Sequence, residues 1–320
     1  MTPHRIMFWQ IEGVWIFYAL AALSIGVFLA GVAAYLSVWK RNAGTLKAPF
    51  SKDALKRALL DTFLGRRVLQ GDVPAGVMHF LLFWGFLSLF AGTVLLFVHE
   101  YFFSFLRGTA YRVFSLAMEV GGVMLLAGIF WALVRRYIQR VPRLERRLED
   151  ALVPGWLLFI GLSGFVVEGL RLAHQRPTWR AGSFVGAWTG SLVSPAAAQD
   201  LYPYMWWGHA LVSLGFIAAI PFTKLFHVLS APAGMYFQNS WKPVVLEAGE
   251  GAGAFDLKDA IFFDACVRCG RCVEVCPSEG AGEPFSPRDF VQAMRNVLWR
   301  EHFPWGDIRA LSRGETNDAE

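Results

Sequence analysis

Charged side chains are scarce in this sequence. Of its 320 residues, 17% are Asp, Glu, Lys or Arg, where soluble globular domains carry about a quarter. Apolar residues fill the deficit at 55%, with 15% aromatic. That excludes an ordinary water-soluble fold and points to lipid as the solvent. Cysteine is sparse too, and all four residues lie between Cys266 and Cys276. Internal repeats, low-complexity tracts and signalling or nucleic-acid-binding domains are not evident. The net charge of +5 needs no nucleic-acid partner, because basic residues cluster against a membrane face without one.

A bilayer core about 30 Å thick takes roughly 20 apolar residues in helical form. Five such runs are present, from Gly13 to Trp39, Gly76 to Val98, Val113 to Val134, Gly155 to Ala173 and Trp206 to Leu229. The first is too long for a signal-peptide core and lacks a strong basic leader, so it is expected to be retained. Basic residues near helix ends stay on the cytoplasmic side. Lys40, Arg41, Lys47, Lys52, Lys56, Arg57, Arg66 and Arg67 follow the first run, and Arg135, Arg136, Arg140, Arg143, Arg146 and Arg147 follow the third. The N-terminus and the other two connections carry few. The N-terminus is therefore expected outside the inner membrane, with everything after about Ser230 in the cytoplasm.

The cysteines read Cys266-x2-Cys269-x2-Cys272-x3-Cys276-Pro277. Three thiolates at that spacing, with Gly270 letting the backbone curl, can hold three irons of one cubane cluster, while the last cysteine of such a run ligates a second cluster. A second run is not present, so a partner iron–sulfur chain or a longer polypeptide is expected to supply it. A zinc knuckle would pair two short motifs across a longer loop, and disulfides do not persist in a reducing cytoplasm. The pattern favours iron–sulfur.

An imidazole within a membrane span is costly without a partner, and axial ligation of haem iron is one such partnership. His209 and His227 lie 18 residues apart in the fifth run. On one unbroken helix that is five turns, which places both rings on one face roughly 27 Å apart. His79, at the cytoplasmic end of the second run, matches His227 in depth, and the pair is expected to clasp one b haem. An outer haem would use His209 with His99 or His174; helical phase weighs against His99, which is rotated roughly 200° from His79. One or two haems are expected.

Glu119 and Glu168 fall toward the outer side, and Arg171 shares a helix face with Glu168. Either they form an ion pair that lets the charges sit in lipid, or quinol binds there and yields its protons to a carboxylate. Arg171 has haem propionate as a further candidate partner.

Spans two to five resemble the gamma subunit of respiratory nitrate reductase. The resemblance rests on Trp207-Gly-His209 through Pro221-Phe-Thr-Lys-Leu-Phe-His227-Val and on His79 in Val-Met-His-Phe, and it implies haem ligation by these three histidines. Leu89 stands where that family has the other ligand of the second helix. Glu168-Gly-Leu-Arg171, the cysteine run and Ser286-Pro-Arg-Asp289 are similar to membrane proteins of the heterodisulfide reductase type, which join such a cytochrome to a ferredoxin-like domain. The resemblance covers roughly residues 15 to 310.

The expected fold is therefore an all-α membrane protein. Residues 1–230 would form a five-helix cytochrome b-type bundle, 231–260 a linker with Trp241 at the interface, and 261–320 a 4Fe-4S ferredoxin-like segment whose helix spans Asp289 to Arg300. The expected function is electron transfer between quinone and a soluble redox partner on the cytoplasmic side. The rival readings are a haem-free membrane anchor for an iron–sulfur reductase and a redox sensor.

Overall fold

A computed structural model describes residues 3–43, 50–240, 255–303 and 309; Trp241, the Gly-rich stretch 248–254 and the tail 312–320 lie outside the described residues. The described residues form helices joined by loops and turns, with no strand among them. Lipid offers backbone N–H and C=O groups no partners, so apolar runs satisfy them internally as helices. The long helices are α1 (Val14–Arg41), α4 (Val73–Tyr101), α5 (Thr109–Leu133), α6 (Leu148–Gln175) and α8 (Pro195–Ala219). Among the described residues, five helices are long and apolar enough to cross a membrane, and large apolar side chains such as Leu23, Val94 and Phe130 are exposed on them.

The shorter helices among the described residues are α2 (Lys52–Phe63), α3 (Arg66–Gly71), α7 (Phe184–Ser191), α9 (His227–Ser240), α10 (Leu257–Ala265), α11 (Arg271–Glu274), α12 (Pro277–Gly280) and α13 (Pro287–His302). Local chemistry sets their starts. The Asp72 side chain accepts the Ala75 N–H ahead of α4, Asp256 and Asp259 form a reciprocal capping box at α10, and the Ser286 hydroxyl caps α13 ahead of Pro287.

The fifth span departs from expectation. It covers Pro195–Phe222 and does not continue to Leu229. Pro221, which has no N–H to continue the ladder, lies in a tight turn at Ile220–Phe222, a second turn covers Lys224–Phe226, and α9 starts afresh at His227. His209 and His227 therefore do not share one continuous helix face. Residues 231–240, expected as linker, belong to α9.

The chain divides into two compact units. The first comprises Met1–Leu23, Val68–Val134 and Leu152–Phe216. Its helices approach closely where glycine leaves room. A Cβ on Gly85 of α4 would stand 2.5 Å from the Leu125 backbone nitrogen of α5, and one on Gly190 of α7 would stand 2.5 Å from the Gly169 carbonyl oxygen of α6. Without a hydrophobic drive between helices in lipid, such backbone approach supplies the packing.

The second unit comprises Ser24–Arg67, Arg135–Ala151 and Ile217–Glu320. Its core gathers Tyr35 and Val38 of α1, Phe226, Ala260 and Phe263 of α10, and Leu298 and Trp299 of α13. Asp264 lies inside it with no exposure, as does Arg295. One Asp264 oxygen accepts Arg295 Nε at 2.8 Å and Trp299 Nε1 at 3.0 Å, and the other accepts Trp39 Nε1 at 2.8 Å. Removing one member of a buried pair strands the other charge. Arg295→Met is expected to lower the unfolding free energy of this unit by about 3 kcal/mol or more. Denaturant unfolding in detergent, followed by tryptophan fluorescence, checks it.

Candidate functional site

The cysteine run follows α10 directly. Cys266 is extended, with its N–H donated to the Phe263 carbonyl, and the chain then bends through two left-handed residues, Arg268 at φ 58° and Gly270 at φ 73°. Glycine takes that conformation without strain, and at Gly270 it is needed twice over, since a Cβ would stand 2.2 Å from the Arg143 carbonyl oxygen. Cys276 is extended and leads into Pro277 and α12. All four thiols are free, with Cys269 and Cys272 exposed.

Burial and the neighbouring Cys266 and Cys269 push the Cys272 thiol up from its ordinary value, so these three sulfurs lie within electrostatic reach of one another. Three neighbouring thiols, with a fourth four residues further along the chain, fit the donor set that a cubane and a second cluster would share. Among the described residues no three His, Cys, Asp or Glu side chains are close enough to hold a single metal ion; the iron corners of a cubane take thiolates spread wider than one ion does.

The connection between α5 and α6 lies against this loop. Glu145 accepts Arg268 Nε at 2.8 Å and Nη2 at 2.9 Å, Arg288 Nη2 at 2.9 Å and Arg147 Nε at 3.0 Å. Arg268 also donates to Asp289 at 2.6 Å, and Arg143 pairs with Glu274 at 3.2 Å. Burial pushes the Glu145 carboxyl up, but Arg268, Arg147 and Arg288 outweigh it and hold the group below its ordinary value. Asp289 is lowered as well, where burial is outweighed by the Ser286 hydroxyl and Arg268.

The first unit contains a cavity of about 170 Å³, whose lining includes Arg5, Ser115, Met118, Glu168, Arg171, Trp206 and His209. A cavity of about 150 Å³ accepts a benzene molecule, so the space suits one six-membered ring. Glu168 Oε1 accepts the Ser183 hydroxyl at 2.8 Å and Arg171 Nη2 at 3.4 Å. Ser183 in turn lies 2.6 Å from Ser115. The predicted Glu168 and Arg171 thus meet His209 at one place. Glu119 is fully buried and does not line the cavity; its two oxygens accept the Val185 and Gly186 N–H groups and hold the first turn of α7.

The other histidines are spread out. His209 Nδ1 lies 2.9 Å from Ser163 Oγ, which also lies 3.2 Å from the Ile160 carbonyl. His227 Nδ1 lies 2.8 Å from the Lys224 carbonyl, which can only accept, so the ring donates from Nδ1. Metal-ligating imidazoles have this arrangement. His99 is the reverse, because its Nδ1 accepts the Leu106 N–H at 3.0 Å and the ring proton sits on Nε2. His174 packs 4.8 Å from Trp9, and His79 stacks parallel to Phe83 at 6.4 Å. Neither of them, nor His99, lines the cavity with His209.

Sequence reasoning missed Arg5, Ser163, Ser183, Glu145 and Arg268. The spacing of Ser163 to His209 is long-range and left no signal, and Glu145 is an acid within a basic stretch that reads as topology.

Residues 75–246 match the nitrate reductase gamma subunit family. The chain belongs to that family. Residues 260–279, which contain all four cysteines, match a 4Fe-4S binding domain. An EtfAB:quinone oxidoreductase of Syntrophomonas wolfei is 29% identical over 93% of this chain and 45% of its own length. A probable iron-sulfur-binding oxidoreductase, FadF, of Bacillus subtilis is 29% identical over 77% of this chain and 37% of its own. One of the subunits of the dihydromethanophenazine:CoB–CoM heterodisulfide reductase of Methanosarcina mazei is 29% identical over 62% of this chain and 73% of its own. The chain spans less than half the length of the first two relatives. No solved structure matches it. This member of the gamma-subunit family is a multi-pass membrane protein with a 4Fe-4S segment.

The lowered carboxyls carry a pH signature. A group held below its ordinary value adds stability that is complete above that value and is lost as pH falls through the lowered one. The thermal midpoint of the parent should exceed that of Glu145→Gln by a constant margin from pH 7 to about 5. Below the ordinary Glu value of 4.5 the margin should shrink, which a series of melts across that range checks.

Proposed function

We propose that the protein oxidises quinol, or reduces quinone, in the Glu168 cavity and exchanges the electrons with the 4Fe-4S segment by way of b haem. The observation that carries this reading is the lining of one ring-sized space by a carboxylate with a guanidinium partner and by an imidazole held at Nδ1 against the Ser163 hydroxyl. Quinol oxidation releases two protons and two electrons. In this reading Glu168 accepts one ring hydroxyl proton and His209 Nε2 the other, while Arg171 and the Ser183 hydroxyl hold the carboxylate in place. Glu119 positions α7, and with it Ser183, for that task.

His227, with Nδ1 tied to Lys224, is the proposed axial ligand of b haem, and its partner on the sequence reading of depth is His79. Haem supplies one-electron transfer when bound. A second haem at His209 would need another axial ligand, for which His99 and His174 are the candidates on the sequence reading. In this reading the cysteine run faces the cytoplasm at the inner membrane, with the N-terminus outside, as the basic residues after spans one and three favour. There a soluble redox partner, or a second cysteine run that completes the cluster pair at Cys276, would meet it. Support for the quinone comes from the S. wolfei relative, whose name carries one.

A reduced-minus-oxidised spectrum of the purified chain, with haem quantified, tests the relay. About one b haem per chain is expected; two would move His209 to axial ligation, and none would leave a membrane anchor for the iron–sulfur segment. Glu168→Gln should retain cofactors and slow quinol oxidation by about 10²-fold, the smaller end of a general base's contribution. An unchanged rate removes Glu168 from the reading.

A further inference from the structure

We propose that Glu145, in the connection between α5 and α6, is a positioning residue of the iron–sulfur cluster, holding the left-handed backbone at Arg268 that turns Cys266 and Cys269 toward one cubane. The inference rests on cluster binding by the cysteine run and on nothing in the quinone reading.

Arg268 is one of the two residues that separate Cys266 from Cys269, and its φ of 58° is a conformation that L side chains adopt reluctantly. Such a backbone persists only where the surroundings over-determine it. The same loop contains its own comparison. At Gly270, the other left-handed position, glycine meets the requirement by having no side chain, whereas at Arg268 a large side chain is kept and clamped. Glu145 takes two parallel hydrogen bonds from the guanidinium, at 2.8 and 2.9 Å, a geometry that fixes orientation as well as distance. Its side chain is 23% exposed and that of Arg268 14%. Asp289 makes one bond to the same guanidinium but is 51% exposed, so it is the weaker hold.

Glu145 is itself fixed. Arg288 from α13 and Arg147 from its own connection both pair with it. The Arg143 carbonyl, two residues earlier, backs the Gly270 turn. A segment more than one hundred residues away in sequence thus forms the outer wall of the cluster loop.

Partners that orient metal ligands from outside the donor set typically contribute 10- to 100-fold in metal affinity. In the full-length protein with its cluster assembled, Glu145→Ala should speed iron loss to a chelator at neutral pH by about 10-fold. It should also lower the electron paramagnetic resonance signal of the reduced cluster. Arg268→Gly supplies the backbone conformation at no strain, so that variant alone should retain its cluster like the parent although both ion pairs are gone. The double variant Glu145→Ala, Arg268→Gly should regain most of the retention lost in Glu145→Ala. Parent-like retention in Glu145→Ala, rapid loss in Arg268→Gly, or failure of the double variant to recover would each overturn the proposal. Should Glu145→Ala not accumulate, the Arg268→Gly outcome decides.

Discussion

The second unit depends on one buried carboxylate. Asp264 carries a charge into a site with no solvent exposure, where an unpaired carboxylate would be prohibitive. Four groups from three parts of the chain converge on it. Trp39 comes from the end of α1, Arg295 and Trp299 come from α13, and the Ser230 hydroxyl of α9 takes the Asp264 backbone carbonyl at 3.2 Å. None of these can move without leaving polar atoms unpaired, so the pair specifies how helices that are individually ordinary must meet. Its position gives this specificity a use. Asp264 stands two residues before Cys266, so the same bonds that close the core fix the entry of the cysteine run.

Around that pair the aromatic side chains extend the constraint. Tyr35 stacks on Phe226 with ring centres 3.4 Å apart, meets Trp299 edge-on at 4.8 Å, and donates its hydroxyl to the Pro221 carbonyl. Pro221 and Phe226 bracket the broken stretch between α8 and α9. The break is thus secured by packing as well as caused by proline, and His227 is presented from the first turn of a new helix. Its Nδ1 bond to the Lys224 carbonyl belongs to the same turn. Backbone irregularity deep in a chain of this kind is tolerable only where protein supplies the missing partners, and here Tyr35 supplies one.

Much of this was legible in the sequence. The spans, the 4Fe-4S segment and the helix after the cysteine run follow from hydropathy and spacing, because lipid thickness and cubane geometry are rules with one period each. The fifth span was misplaced for an identifiable reason. Trp206 to Leu229 is apolar enough to read as one helix, and Pro221 was a mark of interruption that the run's hydropathy outweighed. The meeting of Glu168, Arg171 and His209 was not legible, since it depends on how α6 and α8 rotate against each other. Glu119 was legible as a buried acid but not in its role. Its partners are backbone N–H groups of α7, an element too short and weakly patterned to foresee.

The arginine-rich connection after α5 shows why a single feature can carry two meanings. Counted as charge, Arg135 to Arg147 reports which side of the membrane this segment occupies. Taken one residue at a time, it contains Glu145, whose carboxylate needs arginines to be buried, and Arg143, whose carbonyl needs a glycine opposite it. The topology signal requires only that basic residues be numerous. The cluster loop requires that one acid stand among them, because Arg268 and Arg288 both pair with it and otherwise share the half-exposed Asp289. A purely basic connection would satisfy the membrane and repel the cysteine segment. The acid at position 145 is therefore the residue by which this connection serves the iron–sulfur site in addition to the bilayer.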